Sequence, residues 1–257
     1  MSTASEVSAE VALRLGDTCL VLAQRLAEWC GHAPVLEEDI ALANIALDVL
    51  GHARGLLTRA GELEGRGRDE DDLAYLRDAE QFRNLTLVEL PNGDFGQTML
   101  RQFLYDAYAV ELWSQLSSSP DAGLAGIAAK AVKESTYHLR HSGGWVVRLG
   151  DGTDESHQRM LTARDVLWRH TAELFTDDDL DVAAADLGIS PLPSSLRTRW
   201  RSRVEPVLRV ADLLVNDDAW DLAFSPPGGR QGRHTEHLSY LLAEMQVVHR
   251  AHPGVSW

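Results

Sequence analysis

Cysteine is scarce in this chain of 257 residues, with only Cys19 and Cys30 present. Both fall in one predicted helix, about 16 Å apart at the standard helical rise, which is beyond the reach of a disulfide. A disulfide-stapled fold is excluded, and the pattern suits a reducing cytoplasm. Basic residues are also short: 24 Lys and Arg stand against 39 Asp and Glu, a formal net charge of -15. That deficit argues against nucleic acid, whose phosphates are held chiefly by Lys and Arg, and against anionic membrane surfaces. No run approaches the roughly eighteen apolar residues of a membrane span. Met1–Glu10 is polar, without the apolar core of a signal peptide. Strand signals are few; Leu85–Leu90 has some β character, cut off by the turn Pro91-Asn92-Gly93. Glycine fingerprints, a phosphate loop, paired cysteines and a nucleophile elbow are all missing, so a nucleotide site or a serine hydrolase has no support.

What is present reads as helix. A first helix covers Val11 to Trp29. Pro34 suits the first turn of a second, with Glu37, Glu38 and Asp39 at its positive end. That helix runs through Leu57 and fails in Gly61–Gly67. A short helix fits Asp72–Phe82 and a third long one Phe95–Leu116. Ser119-Pro120-Asp121 caps a fourth ending near Gly150, and a fifth begins around Thr153. Asp177–Asp179 and Pro191–Pro193 mark connections; a sixth helix holds Leu196–Val215, with Pro206 as a kink point. Ser225–Gly232 reads as a flexible loop before a last helix, His234–His249. The expectation is one all-α domain over 1–257, a four-helix bundle over about 11–150 with additional helices over about 153–250.

Several polar residues interrupt these apolar helices. Ala41–Ala53 is apolar or small on nearly every side, which predicts burial, yet Asp48 lies in its middle. A buried carboxylate needs a charge partner, hydrogen bonds or a metal. Asp17, Gln24 and Glu28 share one face of the first helix, and Asp106 interrupts Phe103–Ala109 in the third. In the fourth, Lys130, Glu134, His138 and His141 form one stripe. A solvated face explains the stripes of the first and fourth helices well; it explains Asp48 poorly.

A polar centre in a four-helix bundle suggests the di-iron carboxylate proteins, which use two Glu and two Glu-x-x-His pairs. Of the ten histidines, only His157 has a carboxylate three residues before it, Asp154, and that pair stands at a helix start. Where such pairs are needed, the chain carries Asp48-x-x-Gly51 and Glu134-x-x-Tyr137, with His52 and His138 one residue late. Gln24, Asp48, Asp106, Glu134, Tyr137 and His138 therefore read as degenerate di-iron positions. Lys130, one turn from Glu134, is a candidate replacement for the metal charge. His234-Thr-Glu236-His237 lacks the spacing of a metalloprotease motif; a zinc site there is weaker than a capping or interface role.

The stretches Leu13–Pro34, Ala41–Asp48, Val88–Gly93, Lys130–His141, Gly232–Leu238 and Ala243–Gln246 resemble the structural subunits of bacterial phenylacetyl-CoA epoxidases, in unbroken order from about residue 11 to Trp257. One departure is His52, where relatives carry an amide. The resemblance implies a ferritin-like fold, without catalytic residues or cofactor in this chain, and a partner subunit that holds the di-iron centre. It further implies other small subunits and a reductase, dioxygen activation and conversion of phenylacetyl-CoA to its ring-1,2-epoxide in aerobic phenylacetate degradation. Two other readings remain open: a di-iron oxygenase or oxidase with atypical ligands, and a ferritin-like scaffold unrelated to oxygenation.

Overall fold

The computed structural model describes residues 3–216, 220 and 228–255. Among these residues every regular element is helical. The α-helices are α1 (Ala4–Ala27), α2 (Leu36–Glu64), α3 (Glu70–Tyr75), α4 (Thr86–Glu89) and α5 (Phe95–Leu116). They continue with α6 (Ala122–Gly150), α7 (Asp154–Leu167), α8 (Asp179–Asp186), α9 (Pro193–Val210) and α10 (Glu236–Ala251). The chain divides into two compact units, Met1–Pro91 with Pro227–Trp257, and Asn92–Pro226.

In the first unit α1 begins seven residues earlier than its apolar pattern suggests. The cause is a capping box: Thr3 Oγ1 accepts from the Glu6 amide and the Glu6 carboxylate accepts from the Thr3 amide, at 3.2 and 2.7 Å. α2 begins after Pro34, not on it, and stops at Gly65, whose φ of 65° is left-handed. The two helices pack closely, and Gly16 permits it: a Cβ there would stand 2.7 Å from Leu57. Leu85–Leu90 forms the helical turn α4, not a strand, with the Val88 amide donating to the Leu85 carbonyl.

The all-round burial expected of Ala41–Ala53 is wrong for α2. Leu42, Ile45, Val49 and Leu56 are buried, but Leu36, Ile40 and Leu47 are 72%, 53% and 65% exposed. With Asn44 and Gly51 they make one exposed, largely apolar stripe at helical spacing. By length and composition α2 is the one described helix apolar enough to cross a membrane, which corrects the reading that no run approaches a span.

Two buried polar knots hold the first unit. Asp17, with no exposed surface, pairs with the Arg77 guanidinium and also accepts from the Arg83 amide at 2.8 Å. Arg77 lies 4.3 Å over the Phe82 ring. Glu89, equally buried, accepts from Asn84 Nδ2 at 2.8 Å, His234 Nδ1 at 2.7 Å and the Thr235 amide at 2.6 Å. Arg25 donates to the Glu89 carbonyl at 2.8 Å. Of the loop expected over 225–232, residues 225–227 lie outside the described residues. The remainder is packed: a Cβ on Gly229 would meet the Asn84 carbonyl, and Arg230 is buried.

In the second unit α5 is the helix buried nearly all round, and it packs against α6, α7 and α9. Asp94, Asp121 and Thr153 cap α5, α6 and α7 through their side chains. Trp200 of α9 donates its indole N–H to the Leu104 carbonyl at 2.9 Å, among the rings of Trp168, Phe175 and Trp220. α9 carries Pro193 at its start and runs past Pro206 to Val210. It stops short of the expected Val215 because Asp212 adopts φ 53°. The short helix α8 starts within the acidic run read as a connection, with Asp178 and Asp181 forming its capping box, and the 3-10 turns Trp168–His170 and Ala172–Phe175 follow α7.

Replacing Arg77 with Met leaves Asp17 buried without its countercharge. Unfolding by urea should show a loss of about 3–5 kcal/mol; a loss below about 1 kcal/mol would mean the pair is not holding the unit.

Candidate functional site

Asp106 is the best-defined candidate. It sits within α5, fully buried, and its two oxygens are separately engaged. Gln102 Nε2, one turn earlier, donates to Oδ1 at 2.7 Å. Ser142 of α6 stands 2.8 Å from Oδ2, and its Oγ is also 2.9 Å from the His138 carbonyl. A serine hydroxyl has one hydrogen and here faces two acceptors. A proton on Asp106 resolves the competition: the carboxyl donates to Ser142 Oγ, and Ser142 donates to His138. Burial pushes Asp106 from an ordinary 3.8 up to about 8, against the opposing pull of the Ser142 and Gln102 hydrogen bonds. Asp106 is therefore neutral at pH 7.

The remaining expected residues are graded in burial. Lys130 and Glu134 meet at 3.4 Å, but Lys130 is 66% exposed, so the pair is a surface one and not a buried replacement for metal charge. Tyr137 is exposed, while His138 is buried. Gln24, Asp48 and His141 are half-buried, and His52 is buried. The positions three residues after Asp48 and Glu134, Gly51 and Tyr137, thus face out, whereas the histidines four residues after them turn inward. An i, i+4 spacing is only about 40° off a common face, so these histidines stay near their carboxylates' side of the helix. The stripe of the first helix also splits: Asp17 is buried with Arg77, and Glu28 is exposed and paired with Arg25 at 2.7 Å.

The side histidine motifs have structural roles. Both ring nitrogens of His234 face acceptors, Glu89 and the Phe82 carbonyl at 3.0 Å, which removes it from any zinc pair with His237. His157 Nδ1 lies 2.8 Å from the Gly150 carbonyl, at the end of α6, while Asp154 is exposed. Among the described residues no three His, Cys, Asp or Glu side chains gather as metal ligands. The donors that a di-iron centre uses are incomplete among the described residues: the positions three residues after Asp48 and Glu134 hold Gly51 and Tyr137, and both Asp106 oxygens are engaged in hydrogen bonds. Sequence reasoning missed Gln102, whose i, i+4 spacing to Asp106 could have shown it. It also missed Ser142, which nothing local ties to Asp106.

The family model described as phenylacetic acid catabolic protein matches residues 2–257. One of the subunits of the 1,2-phenylacetyl-CoA epoxidase of Escherichia coli strain K12 is 54% identical over 245 residues, covering 95% of this chain and 97% of the relative.

Two measurements test this geometry. Because the folded state holds a proton that the unfolded state releases, Asp106 contributes stability fully present below about pH 4 and lost as pH rises to about 8. Asp106→Asn reproduces the neutral carboxyl, its amide donating to Ser142 and its oxygen accepting from Gln102. The melting-temperature difference, variant minus wild type, should grow between pH 4 and pH 8; a difference constant with pH would show that Asp106 does not titrate there. Lys130→Ala should cost less than about 1 kcal/mol in a denaturant titration, and a cost above about 3 kcal/mol would contradict the exposed pair.

Proposed function

The chain belongs to the phenylacetic acid catabolic protein family, ferritin-like and all-α, and from that premise we propose that it is the structural, non-catalytic subunit of a cytoplasmic multicomponent phenylacetyl-CoA epoxidase. In this reading a partner subunit holds the di-iron centre, and further small subunits and a reductase complete the assembly. The epoxidase converts phenylacetyl-CoA to ring-1,2-epoxyphenylacetyl-CoA, and this chain stabilises and shapes the catalytic partner. The proposal keeps residues 1–257 as one ferritin-like domain, with Gln24, Asp48, Asp106, Glu134, Tyr137 and His138 as degenerate di-iron positions.

The observation that carries the reading is the high identity to a relative named as an epoxidase subunit, over nearly the whole of both chains. Two features of the molecule support it. Both Asp106 oxygens are taken up by Gln102 and Ser142, so in this chain Asp106 ties α5 to α6. The exposed stripe Leu36, Ile40 and Leu47 on α2 is costly to leave in water and suits a permanent partner's apolar helix. The catalytic subunit is the occupant this reading assigns to it.

Co-expression with the catalytic subunit tests the assignment. Leu36→Glu with Leu47→Glu should abolish co-purification while leaving this chain's own melting curve in place. Complexes assembled with His138→Ala, Asp48→Asn or Glu134→Gln should keep turnover of phenylacetyl-CoA within a few-fold of wild type. Complete loss of turnover in an intact Glu134→Gln complex would replace the structural role with direct catalysis.

A further inference from the structure

The chain as a whole is short of positive charge, yet α9 concentrates it: arginines 197, 199, 201, 203 and 209 stand against one acid, Glu205. Arg201 and Arg209 close on Glu205 at 3.0 and 2.8 Å. Arg199 and Arg203 turn the other way and share Glu111 of α5, at 3.8 and 2.5 Å. Glu111 is buried, so one negative charge lies beneath two positive ones.

The way the donors are committed separates this pair from the chain's structural arginines. Arg77 places Nε, Nη1 and Nη2 on the Leu73 carbonyl, the Gln81 carbonyl and both oxygens of Asp17. Arg203 places only Nε, on Glu111, and its terminal nitrogens meet no acceptor among the described residues. Arg199 stands beyond hydrogen-bond distance from Glu111. Guanidinium groups left this way present planar N–H pairs that match the oxygens of a tetrahedral anion.

These donors border a cleft of about 470 Å³ between α5, α6 and α9. Val110 and Val132 line its apolar side, and Ser114 and Ser202 its rim. Ser202 donates its hydroxyl hydrogen to the Arg199 carbonyl at 2.7 Å, which leaves Ser114 as the free hydroxyl donor of the rim.

We infer that this cleft binds a phosphate group, free or esterified, between Arg199 and Arg203. A carboxylate ligand would duplicate what Glu111 already supplies from below. A phosphate brings a second negative charge and a third oxygen, which the residual positive charge, the unused Nη donors and Ser114 accommodate. The two guanidiniums are one helical turn apart along α9, about 5–6 Å, a span that a single phosphate bridges. The inference is independent of the subunit assignment, because it rests on the cleft between α5, α6 and α9 and concerns binding by the isolated chain.

Isothermal titration of the purified full chain with inorganic phosphate and with coenzyme A, at low ionic strength and with sodium chloride as the control, tests it. Both phosphate probes should bind where chloride does not. Arg199→Gln with Arg203→Gln should weaken binding about tenfold or more, and Arg169→Gln, a surface arginine of another cleft, should leave it unchanged. If the double variant melts early, Ser202→Asp places a carboxylate on the rim without disturbing Glu111 and should abolish binding equally. Coenzyme A binding more tightly than phosphate, and displaced by it, identifies an esterified phosphate as the ligand; equal affinities identify free phosphate. No heat with either probe, or binding that survives both the double variant and Ser202→Asp, overturns the proposal.

Discussion

Glu89 accepts three hydrogen bonds on a carboxylate with no surface in contact with solvent, and its carbonyl takes Arg25 besides. Through these bonds one residue of a four-residue helix fastens α1 to the start of α10. A carboxylate in that position is tolerable only if charge and hydrogen bonds replace the lost water. The His234 ring bridges two oxygens, its Nδ1 facing the Glu89 carboxylate and its Nε2 the Phe82 carbonyl. Thr235 supplies a backbone donor at the positive end of α10, where the helix dipole favours an anion. Remove Glu89 and three donors lose their acceptor together.

The chain buries its carboxylates in three chemically different ways. Asp17 is matched by an arginine whose remaining donors are satisfied by carbonyls, a geometry that fixes the position of Arg77 and, through its stacking, of Phe82. Glu89 is met by the His234 ring, the Asn84 amide and the Thr235 backbone N–H. Asp106 is matched by no cation; it keeps its proton, and the resulting hydroxyl completes a chain through Ser142 to the α6 backbone. The first holds its segment through an ion pair and the second through three converging hydrogen bonds, whereas the third ties α5 to α6.

Much of the helical layout is legible in the sequence because caps and apolar period act locally. α5 and α6 begin and end where Asp94, Asp121 and Gly150 direct, and the polar interruption at Asp106 is visible in its apolar run. One failure is a local signal passed over, and the others come from effects that local reading does not carry. Thr3 and Glu6 extend α1 through a cap that lies outside its apolar pattern. α2 is apolar enough to read as buried everywhere, yet composition does not say which side of a helix is covered, and Leu36, Ile40 and Leu47 are not. For the candidate site, Asp106 is buried as its apolar run suggests; His138 is buried although a solvated face suits its stripe, and Lys130 and Tyr137 project outward. Partners such as Arg77 for Asp17 and Ser142 for Asp106 lie 60 and 36 residues away, and only the fold brings them together.

The first compact unit is discontinuous in sequence, closed by a segment that follows the whole of the second. Glu89 and His234 are 145 residues apart. During translation at about 5–20 residues per second, the carboxylate waits roughly 7–30 s for its imidazole. In that interval the α1–α2 pair stands on the nascent chain without the segment that closes its unit. A chain ending before His234 would keep the Asn84 amide on Glu89 and lose both the imidazole and the Thr235 N–H, so the fit of this carboxylate is completed only by the last part of the chain to be made.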